Sequence, residues 1–438
     1  MSQSETEPLE VSPAPAAEED PVANRPPLVP LRRNWRFQLL WIGASSTTLG
    51  VEAADIAYPL LVLAMTGSPA LAGLFGFTQL IVILVLGLPI GALADRWDHR
   101  YVLIGAEGAR AGATASVAVA LAMDALTVAH LLLVALVLGL GTAFGGPVRM
   151  LLVRAVVPDE QLTQALTQDE VREGAAGLVG PAFGGALYGV SRVLPFIACA
   201  GTFSLSLLCA LIVRVPPRGG KPVDADEPED GGEPSPAEDS GGVLAGVREL
   251  VRQPALRGAL LLIGTFYLVI TAVTLVVVVK LQSQGTAPGA VGLALTGTAV
   301  GMLLGSPLVK PLHDWMAPGR LLLLVSVTVA VAMALLAVPF GSWWVFGVLV
   351  FSTLTTPALR VLIDIMILRQ VPEDRRGRTI VATMTVLQSG PALGTMGAGL
   401  LLQFTGTTTA ILALAALQGA VTLYGLTDRA VAQARWPQ

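Results

Sequence analysis

The chain has 438 residues, 53% hydrophobic and only 13% charged, with a mean hydropathy of +0.70. Soluble domains carry about 25% charged residues, so lipid is the solvent this composition fits. A long disordered protein, a collagen-like chain and a disulfide scaffold are excluded on the same ground. The net charge of −4 is set by two tails. Residues 1–30 hold six acids against Arg25, and residues 216–241 hold eight against Arg218 and Lys221. The rest of the chain carries 17 acids and 24 bases.

In chain order, residues 1–33 read as a disordered acidic N-terminal tail with no basic flank before a short apolar core. No cleaved signal peptide is expected, and the first span acts as an uncleaved anchor. Apolar runs bounded by Gly, Pro and charge then predict twelve transmembrane helices of ~20 residues each. Six of them, over 37–63, 71–93, 102–123, 127–148, 168–188 and 193–213, make a bundle spanning 34–215. An acidic, disordered cytoplasmic linker follows over 216–242. Six more, over 258–279, 289–309, 321–340, 343–366, 380–402 and 408–426, make a second bundle over 243–427 with a preceding amphipathic segment. Residues 428–438 form a C-terminal tail. The fold class is an all-α polytopic membrane protein.

Of the 25 Lys and Arg outside the spans, 23 fall on the face carrying both termini and the central linker; only Arg192 and Lys280 lie opposite. That bias places the N- and C-termini in the cytoplasm, in a multi-pass protein of the inner cell membrane. All seven Trp stand at span ends or outside spans, where an amphipathic ring is best accommodated. Cys199 and Cys209 are ten residues apart on one helix, ~15 Å along its axis, too far to bridge.

The two halves repeat each other. Asp95 and Asp314, like Gly73 and Gly292, are offset by 219; Pro158 and Pro372, Gly180 and Gly394, and Gly185 and Gly399 are offset by 214. Two parallel six-helix pseudo-repeats put a substrate site between them near the midplane, with access alternating as they rock. Gly87 and Gly91, and Gly297, Gly301 and Gly305, make small faces on which helices approach closely.

The segment Gly91-Ala92-Leu93-Ala94-Asp95-Arg96-Trp97-Asp98-His99-Arg100 resembles the signature loop of the major facilitator superfamily, although Asp98 stands where many members have Gly and His99 where many have Arg or Lys. The resemblance is strongest to the drug- and siderophore-exporting branch, which includes macrolide efflux and enterobactin exporter proteins. The residues that carry it are Thr66-Gly67-Ser68, Pro147-Val148-Arg149 leading to Val157-Pro158, and Gly180-Pro181-Ala182-Phe183-Gly184-Gly185. It implies the major facilitator fold, a cytoplasmic gating loop at Gly91, Asp95, Arg96 and Arg100, and an antiporter-like motif at Gly180, Pro181, Gly184 and Gly185.

Ionisable groups inside apolar spans are functional candidates by default, because each costs several kcal/mol to keep there. Glu52 and Asp55 in span one share a helix face at i, i+3. Two repelling carboxylates in low dielectric are expected to bind and release a proton, which suits a proton-coupled antiporter. Glu107 and Arg110 have the same spacing in span three and read as an ion pair, with a role in coupling or substrate binding kept open. Arg149, with Glu170 and Glu173 as possible partners, reads as a cytoplasmic charge cluster, either a gate or solvated headgroup-level charge. Phe266 and Tyr267 are expected to fill the bundle.

The nearest approach to a nucleotide-binding loop, Gly219-Gly220-Lys221-Pro222, lacks the required hydroxyl, and the three histidines have no metal-ligand spacing. No enzyme activity, cofactor, metal or nucleic-acid partner is expected. The partners are a small-molecule substrate, protons and the lipid bilayer, and the chain is expected to act as a monomer. The leading expectation is a secondary active transporter exporting amphipathic small molecules. An uptake carrier or lipid flippase of the same fold, or a non-transporting scaffold or sensor, are the alternatives.

Overall fold

The computed structural model describes residues 30–94, 97–213, 254–370 and 376–428. The acidic linker, residues 1–29, the C-terminal tail from 429, and Asp95 and Arg96 of the expected gating loop lie outside the described residues. So do Arg218 and Lys221 and the amphipathic segment before residue 254.

Among the described residues there is helix and no strand. The first half comprises α1 (Trp35–Thr66), α2 (Pro69–Ala94), α3 (His99–Ala122), α4 (Val128–Val156), α5 (Asp159–Val190) and α6 (Leu194–Ile212). The second comprises α7 (Pro254–Ser283), α8 (Pro288–Leu295), α9 (Gly297–Gly305), α10 (Val309–Trp315), α11 (Pro318–Leu336), α12 (Ser342–Thr353), α13 (Thr356–Gln370), α14 (Arg376–Thr405) and α15 (Thr407–Thr427). Nine stretches of the described residues are long and apolar enough to cross a membrane. The long helices α3, α5 and α14 fall outside that set, because Gly, Thr and charged residues dilute their hydropathy.

Local chemistry sets the helix ends. The Asn34 side chain accepts from the Phe37 N–H at 3.2 Å and Thr127 from the His130 N–H at 3.2 Å, each satisfying a donor the helix leaves unpaired. Asp98 caps α3 by accepting from the Arg100 N–H at 2.9 Å, a physical reason for an acid at that place in the loop. Gly67 ends α1 in the left-handed region, φ +62°, where a Cβ would be strained. Leu31, inside the stretch expected to be disordered, is buried with Phe37, Val157 and Ala165, so the end of that stretch packs on the first bundle.

Two expected spans are broken. Span eight runs as α8 and α9, then a 3₁₀ turn at Ser306–Leu308, and span ten as α12 and α13. Threonine hydroxyls bond back to the backbone near both breaks: Thr296 donates to the Leu293 carbonyl at 2.7 Å, and Thr353 to those of Leu349 and Thr298, each at 2.9 Å. Such bonds compete with the helix ladder and bend it. Gly297, Gly301 and Gly305 line the same crossing, facing the carbonyls of Phe346, Val350 and Leu354, as the small-residue spacing predicts.

The halves meet along α2 against α14 and α5 against α8. Their close glycine approaches, Gly73 to Gly399 and Gly185 to Gly292, lie toward the end that carries the α1–α2 and α14–α15 turns. There Ser68 also donates to the Gln403 side-chain oxygen at 2.7 Å. The largest apolar cluster runs through both halves, with Tyr58 stacked on Phe75 at 4.6 Å and packed against Phe196 at 5.0 Å; two smaller clusters lie in the first half. Phe266 and Tyr267 meet edge to face at 5.4 Å, with Phe266 fully buried in that core, as a filling role requires.

Candidate transport site

Helix α1 runs beside the site, and its small residues decide what faces what. Gly43 and Gly50 lie against α6, where Ser46 donates to the Thr202 carbonyl at 2.9 Å. The stripe Ala44, Thr48, Val51 faces a cavity of about 280 Å³ between α1, α4 and α5. Asp55 continues that stripe at i+4 from Val51 and is exposed; Glu52, half-buried, is turned toward α5. Among the described residues, no side chain donates a hydrogen bond or ion pair to either carboxylate.

The antiporter-like motif is what Glu52 turns toward. Gly180 lies against the Glu52 Cβ, and a Cβ on Gly184 would come within 2.8 Å of the Ala53 Cα. On its other side α5 meets α8: a Cβ on Gly185 would stand 3.0 Å from the Gly292 Cα, and the Pro181 carbonyl faces Gly292. Of the two carboxylates of span one, Glu52 therefore stands at the crossing with the glycine motif of span five, and Asp55 stands apart from it.

Glu107 and Arg110 pair as expected, Nη1 to Oε1 at 3.1 Å, but the pair is part of a larger network. Arg149 donates from Nη2 to the same Oε1 at 2.8 Å, and Thr47 donates to Oε2 at 2.9 Å. Arg149 also reaches the Thr47 and Ser206 hydroxyls, at 3.2 and 3.4 Å, and Arg110 reaches Thr142 at 2.9 Å. Glu107 is 0% exposed, so one buried carboxylate balances two guanidiniums. Gly141 makes room: a Cβ there would stand 2.8 Å from the Arg110 Cγ.

The cluster expected around Arg149 thus divides differently. Arg149 pairs with neither Glu170 nor Glu173. Glu173 lies 3.6 Å from Arg172, which is held by Asp169 at 2.7 Å, by the Ala44 carbonyl at 3.0 Å and by the Thr48 hydroxyl. Glu170 instead meets Arg360 of the second half at 3.5 Å, with both side chains exposed. The sequence reading missed Thr47, Thr142, Asp169 and Arg172 as site residues. For the last two, an i, i+3 acid–base spacing was the available signal.

Of the gating residues, Gly91 lies within α2. Arg100 donates to the Leu211 carbonyl at 2.6 Å, satisfying an end of α6. Cys199 and Cys209 are buried and free. No group of three or more metal-ligating side chains occurs among the described residues.

A family model described as transmembrane secretion effector matches residues 25–433. The chain belongs to that family. It is a multi-pass membrane transporter of the major facilitator type and not an enzyme. Macrolide efflux protein A of Streptococcus pyogenes is 27% identical over 192 residues, covering 43% of this chain and 47% of that protein. The chain therefore spans about half the length of the curated efflux relative it matches. An uncharacterized MFS-type transporter of Bacillus subtilis is 24% identical over 378 residues, 84% of this chain and 87% of the relative. In fold, a bacterial homologue of the human lysosomal transporter Spinster, solved inward-facing and unoccupied, superposes with a TM-score of 0.68 at 15% identity. That match covers 92% of this chain and 98% of the other.

Proposed function

We propose that the chain is a proton-coupled exporter of amphipathic small molecules, of drug, macrolide or siderophore type, working by alternating access in the inner membrane of a bacterium. Twelve spans, cytoplasmic termini and a monomeric unit complete the reading, with Asp95, Arg96 and Arg100 gating the cytoplasmic side.

The observation that carries it is the pair Glu52 and Asp55. Neither has a cationic partner among the described residues, and Asp55 is exposed one turn beyond Val51, the last residue of α1 to line the cavity. A carboxylate at membrane depth with no cation beside it is neutralised by a proton or by a cationic cargo. Where the two exclude each other, influx of one drives release of the other, which is antiport. Gly180 and Gly184 set α5 directly against this stretch of α1, so a change at the carboxylates bears on the helix that also contacts the second half. With the termini inside, the close glycine contacts between halves fall at the outer end and the cavity lies toward the cytoplasm, the arrangement an exporter uses to load. The efflux name of the streptococcal relative supports the outward direction.

The test is substrate-dependent proton movement in proteoliposomes with an imposed pH gradient, comparing wild type with Glu52→Gln and Asp55→Asn. Macrolides, lipophilic cations and siderophores are added in turn. Flux present in wild type and lost in either variant supports antiport through α1. Flux unchanged in both removes these carboxylates from coupling and moves the role to Glu107 or Glu173.

A further inference from the structure

The cavity between α1, α4 and α5 has walls of opposite surplus charge. On one wall, Arg110 and Arg149 share Glu107, whose Oε1 accepts from both and whose Oε2 is taken by Thr47. That leaves one positive charge in excess. Glu107 is sealed at 0% side-chain exposure, whereas Arg110 and Arg149 both line the cavity, Arg149 the more exposed at 15%. On the other wall, Arg172 lies between Asp169 and Glu173, leaving one negative charge in excess, with those two carboxylates half exposed. Among the described residues no ion pair crosses between the walls, although Arg149, Asp169 and Glu173 all line the space. The positive surplus is largely buried and costly until compensated, while the negative surplus lies on half-exposed carboxylates open to a cation; one molecule carrying both counter-charges satisfies both walls at once. Trp41, Met150, Val153 and Leu166 are among the apolar residues of the lining.

We propose that this cavity binds a zwitterionic amphiphile. Its carboxylate or phosphate sits at Arg149, its ammonium lies against Asp169 and Glu173, and its apolar body lies along Trp41 and Val153. The proposal names the cargo class for the transporter reading and rests on that reading for the meaning of the site, but not for its existence. The shared chemistry, an amine and an anion joined to an apolar body, is offered both by a free amphoteric molecule and by a phosphatidylethanolamine headgroup.

The experiment is calorimetric titration of the full chain in nanodiscs of anionic lipid, with N-hexyl-β-alanine, hexylamine and hexanoate as probes. The zwitterion should bind at least about tenfold more tightly than either singly charged probe, the scale of one added charge-assisted contact. Arg149→Gln should abolish its advantage over hexylamine, and Glu173→Gln its advantage over hexanoate. Because Arg149→Gln disturbs the buried triad, its melting temperature is measured first; Glu173→Gln alters a half-exposed residue and supplies an independent arm. Repeating the titration in phosphatidylethanolamine nanodiscs separates the sources. Loss of N-hexyl-β-alanine binding there identifies the lipid headgroup as the occupant, and unchanged binding identifies a free molecule. Equal affinity for all three probes, or a zwitterion preference surviving both substitutions, overturns the proposal. No gradient is applied, so this result and that of the proton-flux assay can fail independently.

Discussion

Gly185 and Gly292 stand so close across the two halves that a Cβ on either would meet the other's Cα at 3.0 to 3.2 Å. Gly73 and Gly399 repeat the arrangement at 2.9 Å. These four are the residues the internal repeat pairs as Gly73 with Gly292 and Gly185 with Gly399. Each structural contact therefore joins an early helix of one copy to a late helix of the other, as a pseudo-two-fold relation requires. Substituting Gly185→Leu should wedge the halves apart at this end, costing about 1–3 kcal/mol in overpacking and lowering the melting temperature. Gly189→Ala, with its nearest neighbour 3.9 Å away, should leave the melting temperature unchanged. Differential scanning fluorimetry of the purified pair compares them directly.

Glu107→Gln should be among the most damaging single changes in the first half. It strips buried Arg110 and part-buried Arg149 of their common counter-charge, a loss of about 3–5 kcal/mol for a broken buried pair. Adding Arg110→Gln should recover part of it, because the second change removes one stranded cation. Thermal unfolding of wild type, both single variants and the double variant gives the coupling; purely additive losses would show that the network is not a unit.

The Arg360–Glu170 pair predicts the opposite. Both side chains are more than half exposed, so Arg360→Gln should shift stability by less than about 1 kcal/mol, and any shift should vanish in high salt. A melting curve at low and high ionic strength settles the matter.

Lys280 is buried and donates to the carbonyls of Leu336 and Val338, the latter at 2.8 Å. It closes the end of α11, where carbonyls have no helical partner. Lys280→Met should therefore cost about 1–3 kcal/mol by leaving those carbonyls unpaired. Substrate-dependent flux per folded molecule should be unchanged, and a loss of flux without a loss of stability would give Lys280 a different role.

The helices and the glycine crossings could be read from the chain because they are written locally, in runs of apolar residues and in spacings of three or four. So could the Glu107–Arg110 pair, at i, i+3. The partner of Arg149 could not: Glu107 is 42 residues away, and only the packing of α1, α3, α4 and α6 brings Thr47 and Arg149 to its carboxylate and Ser206 to Arg149. A search for nearby opposite charge leads instead to Glu170 and Glu173, which the fold assigns to Arg360 and Arg172. The breaks in spans eight and ten were hidden for a related reason. Thr296 and Thr353 are ordinary residues of an apolar run until their hydroxyls find a carbonyl.

The repeat also shows where the two copies have parted. Gly180 packs on Glu52, while its counterpart Gly394 packs on Leu268, so an apolar residue stands where the first copy has an acid. The ion pairs that join Glu107 to Arg110 and Arg149, and Arg172 to Asp169 and Glu173, lie within the first copy. A substitution beside Gly180 therefore falls next to an acid and close to those pairs, whereas one beside Gly394 meets Leu268 and has only size and shape to satisfy. Variants selected for a new cargo should therefore accumulate substitutions around Leu268 in α7 and spare α1, α3 and α4.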